Sequence, residues 1–396
     1  MTVSMSAEPG TETESAEDFR SRVREFIAAH APDIPPRAGV RSADDAAELE
    51  LLKTWTAELY GAGLAGADWP TEYGGREGYS PRHDIIVGEE LARAGVPGAP
   101  SAGTLVAHAL LGHGSDDQRR RHLPAIRSGR ELWCQLFSEP GAGSDLASLR
   151  TRATKVDGGY RISGQKVWTT DGHWADYGYL LARSDPAAPK HKGITAFVLD
   201  MSTPGVTVRP LREITGTSDF NEVFFDDVFV PDDAVIGDEG NGWRIASETL
   251  SRERTNVGAI VVRLELTLAA ITELARTVTI DGAPAISDGA VREQLGAFTA
   301  EVTALAALTT DNIDRWLSGA ERIHDAAMGK LMFSELNLAM AEFALDLCGT
   351  PGLELTPDMH RWQDEWLYAR AFTIAGGTSE IMRTMIAERG LGMPRS

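Results

Sequence analysis

Cysteine is scarce in this 396-residue sequence, which contains only Cys134 and Cys348. Two thiols cannot form the disulfide framework of a secreted scaffold in so long a chain, so a reducing cytoplasm is the expected compartment. Basic residues are also few, because 38 Lys and Arg stand against 58 Asp and Glu and leave a net charge of −20. This charge repels phosphate backbones and anionic lipid, so we expect neither nucleic acid nor a membrane as a partner.

Long apolar runs are absent as well, since no stretch approaches the about 18 uninterrupted apolar residues of a membrane span. Residues 1–16 lack the apolar core of a signal peptide and are expected to be disordered or extended. The histidines at 108, 113 and 122 are not spaced to share one helix face, so no metal site is expected. The overall composition is 42% apolar and 24% charged, which is typical of a globular protein with a sizeable core.

The spacing of apolar residues changes twice along the chain. Residues 17–130 show helical spacing, as at Phe19, Val23, Phe26 and Ile27 and at Leu51, Leu52, Trp55 and Leu59. Residues 131–240 contain short runs of β-branched and aromatic residues between glycine-rich turns, which predict antiparallel strands. Residues 241–396 return to helical spacing, as at Val291, Leu295, Phe298, Val302 and Leu305. The sequence therefore predicts an α, then β, then α layout.

Two segments of the middle region carry candidate binding chemistry. Residues 133–145 read WCQLFSEPGAGSD, and their glycines allow a ligand to approach main-chain N–H groups beside the hydroxyls of Ser138 and Ser144. A plain turn is the alternative interpretation. Residues 164–170 read GQKVWTT, a strand pattern in which Trp168 and Thr170 point to the same side. A flat indole beside a hydroxyl donor suits a flavin ring.

With these motifs the sequence resembles the acyl-CoA dehydrogenase family. The segments WPTEYGG at residues 69–75 and GGTSEIMR at residues 376–383 match the family too, so the resemblance covers nearly the whole chain. It implies an α+β fold with an N-terminal helical domain, a middle antiparallel β domain and a C-terminal four-helix bundle. It also implies FAD between the β domain and the bundle, and oligomers that are usually tetramers.

The resemblance also implies which residues meet the cofactor. The loop at the flavin pyrimidine and ribityl region is matched by Gln135, Leu136, Phe137, Ser138, Gly143 and Ser144. Ser144 is expected near the acyl-CoA as well, and Trp168 and Thr170 match the pair at the flavin ring. Thr378 and Glu380 match positions at the phosphate and adenine side, where a helix N-terminus favours the anionic phosphate.

The family's usual catalytic glutamate is replaced here by Gly376. Isovaleryl- and long-chain-type members instead place the base in a Glu-Arg pair on a bundle helix, and this chain has Glu253 followed by Arg254. We therefore expect Glu253 to remove the α-proton, Arg254 to contact the substrate and the backbone N–H of Gly376 to serve the thioester oxygen. The alternative is that Glu253 only pairs with a neighbouring arginine on a helix surface.

The adenine-end motifs also depart from the family. Arg276 is not followed by the usual Phe, Asp288 stands near a Gln position, and residues 346–352 lack a Gln and a Gly. Heteromeric members, in which two related chains share half the number of FAD sites, show losses of this type.

The implied function is FAD-dependent α,β-dehydrogenation of an acyl-CoA in lipid metabolism, with an electron-transfer flavoprotein as electron acceptor. The assembly is a homotetramer or a heterotetramer with a related chain. Two alternatives stay open: a noncatalytic or assembly subunit of a heteromeric enzyme, and a flavin oxidase relative acting on a non-CoA substrate. Acyl chain length and branching are not fixed by the residue spacing.

Overall fold

The computed structural model has helices in its first third, one large sheet in the middle and helices again towards its end. It describes residues 14–34, 39, 43–66, 69–251, 257–322, 324–354 and 356–394. The order of elements agrees with the α, β, α layout predicted from apolar spacing.

The first third of the described chain is built from helices. They are α1 (Ala16–His30), α2 (Ala46–Gly61), α3 (Pro81–Ala94), α4 (Ser101–His113) and α5 (Asp116–Arg127). Phe19 and Val23 of α1 are buried with Trp55 of α2 in one apolar cluster, as their helical spacing predicted. The adjacent residues Leu51 and Leu52 of α2 differ in burial, since the side chain of Leu51 is exposed while that of Leu52 is buried.

The segment WPTEYGG at residues 69–75 forms a compact turn around Arg127. The guanidinium of Arg127 lies 4.8 Å from the centroid of the Trp69 ring and donates to the backbone oxygen of Tyr73 at 3.3 Å. Gly75 is packed so tightly that a Cβ there would overlap the backbone oxygen of Trp69. This segment is therefore held against the end of α5.

The middle of the described chain folds into an eight-stranded sheet. Its strands are β1 (Trp133–Leu136), β2 (Arg152–Val156), β3 (Gly159–Thr170), β4 (Tyr177–Arg183), β5 (Ile194–Asp200), β6 (Val206–Pro210), β7 (Phe220–Pro231) and β8 (Val235–Ile236). The order is β6-β7-β3-β2-β4-β5-β8, with β1 beside β4. Most pairs are antiparallel, as expected, but β4 runs parallel to β1 and to β2. It is parallel to β2 because the chain reverses direction once at the β2–β3 hairpin and once more between β3 and β4.

The last part of the described chain is helical. It contains α6 (Gly242–Ser251), α7 (Val257–Thr277), α8 (Gly289–Leu317), α9 (Asp325–Cys348), α10 (Pro357–Ile374) and α11 (Ser379–Met385). Helices α7 to α10 pack as a bundle around a core that includes Leu264, Leu305 and Met340. The predicted apolar face of α8 is confirmed, since all five of its members are buried. Among the described helices, none is both long enough and apolar enough to cross a bilayer.

A buried carboxylate joins α1 to α3. Glu90 on α3 is 2% exposed and accepts hydrogen bonds from Arg20 at 2.5 Å and from Arg24 at 2.7 Å, both on α1. Burial opposes the charge of Glu90, but the hydrogen bonds from Arg24 and Arg20 outweigh it and hold the pKa below its ordinary value of 4.5. The ionised form of Glu90 therefore stabilises the contact between the two helices.

Replacing Glu90 with glutamine is expected to lower the free energy of unfolding at neutral pH by about 2 kcal/mol, because Arg20 and Arg24 both lose their buried carboxylate partner, although Arg20 keeps Glu89 at 2.7 Å and Arg24 keeps Glu17 at 3.5 Å. The pKa of Glu90 is lower in the folded than in the unfolded chain, so its contribution is fully present above pH 4.5 and is lost as the pH falls through the lowered value. Urea unfolding should therefore show a gap between wild type and Glu90→Gln that closes in acid. Glu50→Gln, which alters an exposed pair with Lys53, should show no such gap.

Candidate functional site

Trp168, near the end of β3, has the most unusual backbone of the sheet's aromatic residues. Its φ is +60°, in the left-handed region that few residues other than glycine adopt. The register between β3 and β7 shifts between Lys166 and Thr169, so Trp168 lies in a bulge. Its indole is 61% exposed and meets Phe220 edge-on, with ring centroids 6.0 Å apart. Strained backbone carrying an exposed flat ring is typical of a ligand site.

The residues after the bulge alternate in burial. Thr169 is fully buried, whereas Thr170 is half-buried and lies on the more exposed side with Trp168. The amide of Asn221 on β7 donates to the backbone oxygen of Thr169 at 3.0 Å and anchors this end of β3. The bulge, and not a regular two-residue period, sets the direction of the indole.

Residues 138–145, here called the glycine loop, lie against β3 beside this bulge. The backbone N–H of Val167 donates to the oxygen of Ser138 at 3.0 Å. Within the loop, Glu139 and Ala142 exchange backbone hydrogen bonds of 3.1 and 3.0 Å, which close a tight turn. The structure thus brings the predicted loop residues and Trp168 into one place.

The outer side of the glycine loop is open. A Cβ placed on Gly141 or Gly143 would meet no atom within 4 Å. Ser144 is exposed and Ser138 is half-buried, so both hydroxyls can reach a ligand. Open space above glycines, flanked by hydroxyls, allows a polar ligand to approach the main chain closely.

The predicted residues before the loop differ in what they can offer a ligand. Leu136 and Phe137 are buried, and Phe137 packs edge-on against Tyr179 with ring centroids 4.9 Å apart. Their side chains belong to the apolar core, so only their main-chain groups are available. The side chain of Gln135 is half-buried. The match to the family motif does not tell whether a residue at these positions would bind a ligand through its main chain or through its side chain.

Sequence reasoning assigned no role to Lys166 and Glu139, which form a buried ion pair of 2.8 Å under the glycine loop. Burial lowers the pKa of Lys166 to about 8. Burial also opposes the charge of Glu139, but Lys166 and hydrogen bonds at Thr151 and Arg150 outweigh it and hold the pKa of that carboxyl below its ordinary value. The sequence does contain a signal for this pair, because a lysine lies inside a strand pattern. A lysine buried in a strand requires a partner of opposite charge.

A second group of predicted residues lies on the bundle, in the turn between α10 and α11. Gly376 and Gly377 have φ values of +67° and +101°. A Cβ on Gly377 would overlap the terminal methyl of Met382, whereas a Cβ on Gly376 would meet nothing within 4 Å. The ammonium group of Lys330 on α9 donates to the oxygen of Gly377 at 2.6 Å, and burial lowers the pKa of that lysine. The turn is therefore fixed to the bundle while Gly376 borders open space.

Thr378 caps the first turn of α11, where its hydroxyl accepts a hydrogen bond from the backbone N–H of Ile381 at 3.3 Å. Glu380 is exposed, and hydrogen bonds from its own backbone N–H and from the Thr378 hydroxyl lower the pKa of its carboxyl. The hydroxyl of Ser379 is buried and has no hydrogen-bond partner among the described residues. A buried hydroxyl of this kind is available to a ligand group.

Glu253 and Arg254, the predicted base and substrate contact, lie outside the described residues, which stop at Ser251 and resume at Val257. The helix that leads to them, α6, packs against α4 and β5. Their roles stay predictions.

The predicted adenine-end residues lie at the end of α7 and between α7 and α8, where they contact neighbouring residues of the same segment. Arg276 pairs with Glu273 of its own helix at 2.9 Å. Strands β9 (Thr279–Ile280) and β10 (Ala283–Pro284) make a short hairpin. Asp288, near the family's Gln position, caps α8 by accepting from the backbone N–H groups of Ala290 and Val291 at 2.8 and 3.1 Å. Asp288 therefore has a structural task of its own.

Comparisons with known proteins agree with this architecture along nearly the whole chain. The models for the N-terminal, middle and C-terminal domains of acyl-CoA dehydrogenase match residues 13–130, 134–228 and 240–391. Acyl-CoA dehydrogenase IpdE1 of Mycobacterium tuberculosis is 37% identical over 390 residues, which cover 96% of this chain and 99% of that protein. Acyl-CoA dehydrogenase FadE34 of the same organism is 40% identical over 368 residues, and the match covers 92% of this chain but only 50% of FadE34.

Solved structures show the same fold. The Tcur3481–Tcur3483 steroid ACAD superposes with a TM-score of 0.86 at 28% identity, covering 98% of this chain and 100% of that chain. The ChsE4–ChsE5 complex from Mycobacterium tuberculosis superposes with a TM-score of 0.83 at 26% identity, with coverage of 98% and 100%. Fold and matches together define an oxidoreductase. The chain belongs to the acyl-CoA dehydrogenase family, so the family and the α+β fold class predicted from the sequence are confirmed.

Proposed function

We propose that this protein is a FAD-dependent acyl-CoA dehydrogenase that converts an acyl-CoA thioester to the 2,3-enoyl-CoA. The observation that carries the proposal is the exposed indole of Trp168, held in left-handed backbone beside the open glycine loop. In a chain of this family, that combination gives an apolar ring surface and hydrogen-bonding groups at one place. A tryptophan serving only the core would be buried.

The residues present fit a flavin. Trp168 offers a flat apolar face, and the hydroxyls of Ser138 and Ser144 on the glycine loop and of Thr170 on β3 are exposed or half-buried and so accessible to a ligand. The unpartnered hydroxyl of Ser379, next to Thr378, fits a further polar group of the cofactor. FAD, when bound, supplies the acceptor for the hydride that leaves the β-carbon.

Residues of this chain remove the α-proton of the substrate in this proposal. An α-proton of a thioester is weakly acidic, so a carboxylate must remove it while a donor stabilises charge on the thioester oxygen. We assign proton removal to Glu253, and we assign the donor to the backbone N–H of Gly376. Arg254 and Ser144 contact the substrate in this proposal.

The proposed assembly is a heterotetramer with a related chain, with an electron-transfer flavoprotein accepting the electrons. Support comes from the adenine end, where Arg276 is paired within its own helix and Asp288 caps α8. Two of the similar solved structures carry names of two-component assemblies, Tcur3481–Tcur3483 and ChsE4–ChsE5. Both cysteines are free and buried, in keeping with a cytoplasmic location.

The proposed substrate class is a bulky acyl-CoA. Gly376 stands where other family members carry the catalytic glutamate side chain, and a Cβ there would meet open space. One similar solved structure is described as a steroid ACAD, which makes a polycyclic acyl group the first candidate for this chain.

A purified chain, alone and coexpressed with a related partner, is expected to carry yellow flavin that bleaches anaerobically with acyl-CoA. A panel of straight, branched and polycyclic acyl-CoAs should show the strongest bleaching with the bulky members. Absence of flavin in both preparations would contradict the proposal. Bleaching that needs the partner, and that is unchanged when this chain carries Glu253→Gln, would identify a noncatalytic subunit.

A further inference from the structure

The Lys166–Glu139 pair connects three segments around the glycine loop. Besides its bond to Glu139, the ammonium group of Lys166 donates to the backbone oxygen of Phe137 at 2.8 Å. The Glu139 carboxylate also accepts from the backbone N–H groups of Arg150 at 2.6 Å and Thr151 at 2.8 Å. The pair therefore holds the start of the loop, the residues after the loop and β3 in one arrangement.

Burying two charges is costly, so this pair calls for a reason beyond stability. Lys166 is 0% and Glu139 8% exposed, and apolar side chains of similar size at such positions often stabilise a fold at least as well. Charged hydrogen bonds, unlike apolar contacts, specify direction and distance. Trp168 lies two residues further along β3, so the arrangement fixed here is that of the glycine loop relative to the indole.

We propose that Lys166 and Glu139 are positioning residues that set the placement of the glycine loop against Trp168, and through it the affinity and the environment of the flavin. This inference rests on the proposed FAD site. Neither side chain is exposed enough to serve as a ligand contact. The pair acts through Ser138, whose oxygen accepts from the N–H of the residue that follows Lys166.

The same loop offers a matched control. Lys190 pairs with Asp145 at 2.6 Å on the outer side, where the two side chains are 45% and 64% exposed. An exposed pair is screened by water and salt and contributes little. It also makes no bond to β3 among the contacts of the described residues, so its loss should leave the indole in place.

The test compares Lys166→Met with Lys190→Met. Apoprotein titrated with FAD, followed by quenching of flavin fluorescence, is expected to show a dissociation constant raised about tenfold or more for Lys166→Met. The visible absorption band of the bound flavin should shift in the same variant. Lys190→Met should bind FAD with the wild-type constant and spectrum.

Circular dichroism of each apoprotein at the titration temperature separates positioning from stability. Glu139→Gln keeps the side chain's volume and serves as a second variant should Lys166→Met fail to fold; it is expected to weaken FAD binding in the same direction. A folded Lys166→Met or Glu139→Gln that binds FAD with the wild-type constant and spectrum would overturn the positioning role alone. A wild-type chain that binds no FAD, with or without a partner, would overturn the proposed function and this role with it.

Discussion

Glu253→Gln is expected to lower kcat for acyl-CoA dehydrogenation by about 10³-fold while FAD stays bound. Glutamine keeps the volume of the side chain but cannot accept the α-proton, so the loss belongs to proton removal. Turnover with an artificial electron acceptor measures the effect. Flavin bleaching in a single anaerobic turnover should be slowed to the same extent, which would place the slow step before electron transfer to the acceptor. The visible spectrum reports FAD content.

Glu265→Gln on α7 is the control for this experiment. Glu265 lies 3.6 Å from Arg93 at the surface, and its replacement should leave kcat within about twofold of the wild type. Full dehydrogenation by Glu253→Gln with FAD bound would remove Glu253 from the mechanism. Another carboxylate would then have to remove the α-proton while Gly376 binds the thioester oxygen.

The helices could be predicted because burial imposes their period on the sequence. Val291 and Leu305 at the two ends of the α8 stripe are both buried, and so are the members between them. Leu51 and Leu52 are adjacent, so they cannot face the same side of α2, and apolar spacing alone did not show which of them is buried. The parallel pairing of β1 with β4 places Trp133 opposite Tyr177. These residues are far apart in the sequence, so no local pattern predicts that they pair. The predicted domain limits at residues 130 and 240 stay predictions.

The candidate site could be predicted from the sequence only in part. Motifs indicated the glycine loop and Trp168, but the left-handed φ of Trp168 arises from β3–β7 pairing on both sides of it, and tryptophan has no intrinsic preference for that conformation. The Lys166–Glu139 pair spans 27 residues of chain. A lysine in a strand pattern indicates that some buried carboxylate is needed, yet it does not identify which one.

Gly377→Ala is expected to lower kcat/KM by about 10²-fold, because small displacements of site residues are costly to catalysis. Alanine is strained at a φ of +101°, and its methyl group would overlap Met382. Relief of the strained φ requires the turn to move, which breaks the 2.6 Å bond from Lys330 and displaces the N–H of Gly376, and the terminal methyl of the Met382 side chain has to shift as well. Steady-state kinetics measure the loss, and thermal unfolding checks that the bundle stays folded.

The neighbouring glycine provides the comparison that isolates the cause. Gly376 has a φ of +67° and open space around it, so Gly376→Ala carries only the left-handed penalty of about 1 kcal/mol and should lose tenfold or less in kcat/KM. Gly377→Ala combined with Met382→Ala removes the overlap but keeps the strained φ, and it should recover part of the loss. Equal activity of Gly377→Ala and the wild type would show that this turn takes no part in the reaction. Glu253 would then act without an N–H from Gly376, and the thioester oxygen would require a donor from another element.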